Sequence, residues 1–149
     1  MINKIKSWYK RRQGMLECKE SIIELLNKIG EHLVNFAIEG HKWLLNMLGN
    51  AKDEYLNLVN IKCCNATHLY EALNTHTNAI KAGYDNPEIF KQLVLDLITY
   101  LDEVDSLIKT SINIVPYSKI DEFNILVYNA RHDLSNEILS RYYNIAKPL

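Results

Sequence analysis

NPEIFKQLVLDLITYLDEVDSLIKTSINIVP, residues 86–116, decides the fold class. Asn86-Pro87-Glu88 reads as a helix start: a capping side chain, a proline at the first helical position and an acid in the first turn. Phe90, Val94, Leu97, Leu101, Val104, Ile108 and Ser111 or Ile112 then recur at steps of three and four, one apolar face of a helix. Pro116 disfavours helical geometry at Val115, so the spacing predicts a helix over 87–115.

The same periodicity extends in both directions. Ile22, Leu26, Ile29, Leu33, Phe36, Gly40, Leu44 and Met47 mark a helix over 15–48, with Gly49-Asn50 as its stop. Tyr55, Leu58, Lys62, Ala66, Leu69, Leu73, His76 and Ile80 mark one over 51–82. That stripe is weakest at Lys62, which predicts a break or poor burial near 60–65, and Gly83 reads as a C-cap. Ile120, Phe123, Val127, Ala130, Leu134, Ile138, Tyr142 and Ile145 mark a fourth over 118–146, with Ser118 and Asp121 as a capping-box-like pair. A basic amphipathic segment over 1–13 precedes them, with Gly14 as its end or kink. No segment carries strand alternation or an Asn-Gly or Asp-Gly hairpin signal.

The expectation is therefore one all-α domain over 1–149: an elongated antiparallel four-helix bundle with an added N-terminal basic helix. Composition agrees. Hydrophobic residues are 48% and charged residues 23% of 149, with only 5 Gly and 3 Pro, which leaves few places to turn. No apolar run approaches the ~18 residues of a membrane span, and no secretory h-region opens the chain. Asn, Ile, Lys and Tyr, whose codons are A/T-rich, supply 55 residues, the composition of an AT-rich bacterial, phage or viral genome. Cys18, Cys63 and Cys64 make a poor disulfide framework and suit a reducing cytoplasm.

The net charge of -1 hides an asymmetry. Residues 1–16 hold five bases and no acid, so the remainder holds 12 bases and 18 acids, a net of -6. Lys4, Lys6, Lys10, Arg11 and Arg12, with Trp8 and Tyr9, suit an anionic membrane surface, nucleic-acid phosphates with aromatic stacking, or docking on the bundle or on an acidic protein. Asp96, Asp102, Glu103 and Asp105 form an acidic line on the third long helix, a solvated face or a docking stripe for a basic partner. Arg141, Tyr142 and Tyr143 are residue types enriched at interface hot spots.

Nucleotide-cradle, zincin, CxxC, nucleophile-elbow and di-iron Glu-x-x-His patterns do not occur, so no cofactor and no small-molecule substrate is assigned. One cluster is conceivable. With turns near 49, 84 and 116, antiparallel register places His32 level with residue 67, and brings His68, Asp102 and His132 to the same height. Cys64 lies one turn before His68, and such ligands suit Zn, Fe or Mn. These residues sit beside the apolar stripes rather than in them, where solvated polar side chains are the ordinary occupants, and five histidines over four helices coincide in height by chance.

The helix order and the Tyr128-Asn129…Asn136 spacing, over the last third of the chain, resemble the LemA-type helical proteins of bacteria. The resemblance needs an added turn at Pro116 and transfers no site residue. The functional expectation is a non-enzymatic interaction module, an adaptor, inhibitor or assembly subunit that presents a helix face to itself or to another protein. Doubled apolar positions such as Ile22–Ile23, Leu25–Leu26 and Leu44–Leu45 widen the stripes beyond one seam, which predicts surplus apolar surface. The alternatives are a metal-dependent bundle enzyme using the histidine layer, and a membrane or nucleic-acid tether using residues 2–12.

Overall fold

The computed structural model describes the backbone of residues 2–138 and the side chains of residues 13–136. It contains α1 (Ile2–Met47), α2 (Asp53–Gly83), α3 (Pro87–Ser111) and α4 (Ile120–His132), which runs directly into a π-helical stretch, Asp133–Ile138. There is no strand among the described residues. The backbone is helical through Gly14. The basic side chains on which a separate N-terminal helix was argued lie outside the described residues.

Neighbouring helices run antiparallel, as the facing pairs show. Gly30 lies against Leu73 and Tyr70, and Gly40 against Cys63. Tyr100 donates its hydroxyl hydrogen bond to the Leu69 carbonyl, and Lys62 Nζ donates to Thr110 Oγ1 at 2.9 Å. Arg131 on α4 bridges Asp102 at 2.7 Å and Asp105 at 3.3 Å on α3. His32 on α1 stacks on Phe123 of α4, which closes the bundle.

The α3 start forms as expected: Pro87 takes the first turn, and the Asn86 side chain accepts from the Ile89 amide at 3.2 Å. Replacing Asn86 by alanine leaves that amide without its cap. The expected loss is about 1 kcal/mol, or ~3 °C in a thermal melt of a domain this size. The α3 line is buried in full from Phe90 to Ser111, while Ile112 is exposed. The helix stops four residues earlier than Pro116 alone implied. The Ser111 carbonyl accepts from both Ile114 and Val115 amides, which closes the last turn there.

Three other expectations are corrected. The α2 face is rotated by about one residue in its first half: Val59 and Cys63 are buried, while Tyr55 and Leu58 are exposed. Lys62 lies beside that face, so the helix passes through 60–65 unbroken. Gly83 is the last residue of α2 with a right-handed C-cap after it, and Gly49 is the glycine with positive φ (+80°) among the described residues. Ser118 does not cap α4. Its hydroxyl donates to Glu39 Oε1 at 2.8 Å, and Lys119 holds the N-cap position without a side-chain bond. Asp121 and Glu122 in the first turn offset the exposed amides there.

Candidate interaction surface

α1 carries two apolar lines. The core line, Ile22, Leu26, Ile29, Leu33 and Phe36, is fully buried. One residue on, about 100° around the helix, runs a second: Val34, Ile38, Leu45 and then Leu48 just past the helix end. Its core-side neighbours Ala37 and Leu44 pack partly buried against the core. The second line does not. Ile38 is 45% exposed, Leu45 71% and Leu48 62%. Ile23 and Leu25 at the other end of α1 are partly buried against the core. Among the doubled pairs Ile22–Ile23, Leu25–Leu26 and Leu44–Leu45, the exposed residue is Leu45, in the second half of α1.

The end of the bundle beneath this line is cross-tied by side-chain contacts. Trp43 meets Tyr55 edge-on at 5.4 Å, and the Tyr55 hydroxyl donates to the Ile114 carbonyl at 2.7 Å. These contacts tie the α1–α2 turn to the α3–α4 loop. Ile61 on α2 and Ile112 after α3 add exposed apolar groups at the same end. Upstream, the second line borders a groove of about 550 Å³ between α1 and α2, into which Val34 projects beside Gly30, Tyr70 and Leu73.

The histidine layer does not assemble, and no group of three potential metal ligands forms among the described residues. Gly30 faces Leu73 and Gly40 faces Cys63, a register about one turn from that expected. His32 accordingly does not meet His68. Its Nδ1 lies 2.7 Å from the Tyr117 hydroxyl, and its ring stacks on Phe123 at 4.8 Å with an interplanar angle of 6°. The α2–α3 register is as expected, since His68 and Glu103 line one shallow depression. His68 pairs with Glu71 at 3.8 Å, Asp102 turns to Arg131, and His132 pairs with Asp133 at 3.7 Å. Cys64 is exposed beside the buried Cys63, whose thiol burial, reinforced by Cys64, pushes up to about 11.

The acidic line of α3 is largely answered internally. Asp105 pairs with Lys109 and Arg131, and Asp96 accepts from the Gln92 amide. The side chains of Lys4, Lys6, Trp8, Tyr9, Lys10, Arg11, Arg12, Arg141, Tyr142 and Tyr143 lie outside the described residues.

Sequence reading missed Tyr117 and Glu39. Tyr117 is buried against Phe36, Phe123 and His32, and Glu39 accepts from Ser118, so both clamp the α3–α4 loop onto α1. An aromatic directly after Pro116 in a loop is the signal from which Tyr117 could be found. Burial holds the Tyr117 phenol up at about 12, with Glu39 and Glu122 adding to it. Burial also lowers His32 from its ordinary 6.5; Lys119 acts in the same sense, while Glu122 and Glu31 oppose it. The folded state therefore binds the proton less readily than the unfolded chain, and stability falls as pH drops below about 6.5. The expected result is a steeper loss of Tm between pH 7 and pH 5 in the native chain than in His32→Asn. Parallel curves would remove His32 from the acid response.

In comparisons with protein-family models, curated proteins and solved structures, none matches this chain. Among the described residues, no helix is long and apolar enough to cross a membrane.

Proposed function

We propose that this chain is a helical protein-interaction module whose contact face is the second apolar line of α1, Val34, Ile38, Leu45 and Leu48. The observation that carries the reading is the exposure of Leu45 on α1 and of Leu48 just past its end, in continuation of a line one residue on from the buried line Ile22–Phe36. A leucine exposed alone is ordinary, but a line of apolar residues at helical spacing is the form that helix-face recognition takes. The partner assigned is a second copy of the chain. A single apolar line on a long helix is self-complementary about a twofold axis, with Ile38 of one copy opposite Leu45 of the other in an antiparallel pairing. Buried leucine and isoleucine side chains contribute ~1.5–3 kcal/mol each, so a few anchors suffice for a dissociable assembly subunit or adaptor.

The test is a photoreactive benzoylphenylalanine placed at Leu45 and, in a separate protein, at Tyr128, which is 64% exposed on α4. Irradiation of the Leu45 protein is expected to give a covalent dimer joined at α1, and the Tyr128 protein to remain monomeric. Equal cross-linking at both positions, or none at Leu45, contradicts the assignment.

A further inference from the structure

We infer that two copies of this chain hold one zinc ion between them, each copy supplying the His41 imidazole and the Cys64 thiolate. The inference rests on the twofold pairing of α1 proposed above and assigns a metal to that face. His41 fills the gap in the apolar line: Val34, Ile38, His41, Leu45 and Leu48 step by four, three, four and three. With Ile38 of one copy opposite Leu45 of the other, the twofold axis crosses α1 between residues 41 and 42. His41 therefore lies at the axis, facing the same residue of the second copy. A polar side chain at the middle of an apolar seam costs stability unless something answers it.

Cys64 stands beside His41. Gly40 of α1 meets Cys63 of α2. One residue on, each helix has turned by about 100°, and because the two run antiparallel both turns lead to the same side of the contact. The neighbouring contact shows the result: Gly30 meets Leu73, and the residues that follow them, Glu31 and Asn74, line one groove. Val34 of the dimer line also lines that groove, so this side is the proposed face. His41 and Cys64 are both exposed on it. Helix axes in close contact lie about 8 Å apart, a gap that a long imidazole and a short thiolate close onto one ion.

One copy supplies two ligands, which is short of a site and in keeping with the absence of a three-ligand group among the described residues. The second copy completes two nitrogens and two sulfurs, the tetrahedral set of structural zinc. Thiolates select against magnesium and calcium, which take oxygen ligands. Cys18 and Cys63 are buried and do not reach this face. His68, one turn after Cys64, lines the depression toward α3 beside Glu103. Both ligand types bind metal in their deprotonated forms, so binding releases protons and weakens in acid.

The probe is Co2+, titrated into reduced full-length protein and displaced with Zn2+. The expected result is the visible absorption of tetrahedral cobalt with a thiolate charge-transfer band, saturating at one cobalt per two chains. His41→Ala and Cys64→Ser are each expected to lose that spectrum, whereas His68→Ala keeps it. All three positions are exposed, so the fold is retained. In sedimentation velocity, Zn2+ is expected to tighten dimerisation of the native chain at least about tenfold relative to EDTA, and to leave His41→Ala unchanged. One cobalt per chain, a spectrum that survives His41→Ala, or a spectrum lost in His68→Ala overturns the inference. A native chain that dimerises in EDTA but gives no cobalt spectrum overturns the metal site and leaves the dimer face standing. A native chain that is monomeric in both EDTA and Zn2+ overturns both.

Discussion

Phe123→Ala is expected to destabilise the protein by about 4 kcal/mol, the upper range for truncating a buried aromatic. Phe123 is wholly buried, and it does three things at once. It fills the core between α1 and α4, it stacks on His32 at 4.8 Å, and it meets Tyr117 edge-on at 6.4 Å. Alanine leaves a cavity that the long α1 cannot collapse into, since its position is fixed by α2 along most of its length. Loss of the ring also frees His32 and Tyr117, whose hydrogen bond holds the α3–α4 loop. Against a total stability of roughly 5–15 kcal/mol, the variant sits near the threshold of folding, with a Tm lower by roughly 8–16 °C. Ile125→Ala, two residues away and exposed, changes stability by less than about 0.5 kcal/mol. Equal effects of the two in chemical denaturation would contradict the packing of α4 on α1.

Gly40→Ala is expected to destabilise by about 2 kcal/mol, against the usual sign for this substitution in a helix. Alanine is better than glycine in a helix interior by about 1 kcal/mol. Here a Cβ would collide with Cys63 Sγ and sit 3.4 Å from Val115 Cγ1. Both neighbours are buried, so neither has open space to swing into, and overpacking costs about 3 kcal/mol. The collision therefore wins. Cys63→Ala removes the obstructing sulfur, and the added methyl at 40 occupies part of the space it leaves. The double variant Gly40→Ala/Cys63→Ala should return to within about 0.5 kcal/mol of the native chain, a coupling on the order of 2 kcal/mol in a double-mutant cycle. Additive effects would contradict the close approach of α1 and α2 at this level, and with it the width of the groove above.

The helices could be read from the chain because their faces are built from strong, regular signals. Asn86-Pro87 fixes the α3 start through local chemistry, and the line from Phe90 to Ile108 has no competing residue in it. Where the reading slipped, a tertiary partner outbid a local one. Ser118 has the form of a cap, but Glu39, 79 residues away in sequence, takes its hydroxyl. Lys62 was placed on the apolar face because 55, 58, 62 and 66 share the helical spacing, whereas Val59 and Cys63 are the residues that α1 covers. The histidine layer does not form because the α1–α2 register is set by tertiary packing, Gly30 against Leu73 and Gly40 against Cys63, which moves His32 about one turn past residue 67, to the level of Glu71. The exposed line on α1 was foreshadowed by Leu44–Leu45. Its absence from Ile23 and Leu25 was not, because these are partly covered by neighbours that the local sequence does not specify.

Sedimentation velocity from micromolar to millimolar concentration, on the native chain and on Leu45→Glu/Leu48→Glu, tests the assignment of the α1 face most directly. Both substitutions are at exposed positions, so the two proteins are expected to melt alike, within about 0.5 kcal/mol. The native chain is expected to shift from monomer to dimer as concentration rises, and the variant to remain monomeric throughout. A native chain that stays monomeric over the whole range, or a variant that dimerises equally well, would contradict it.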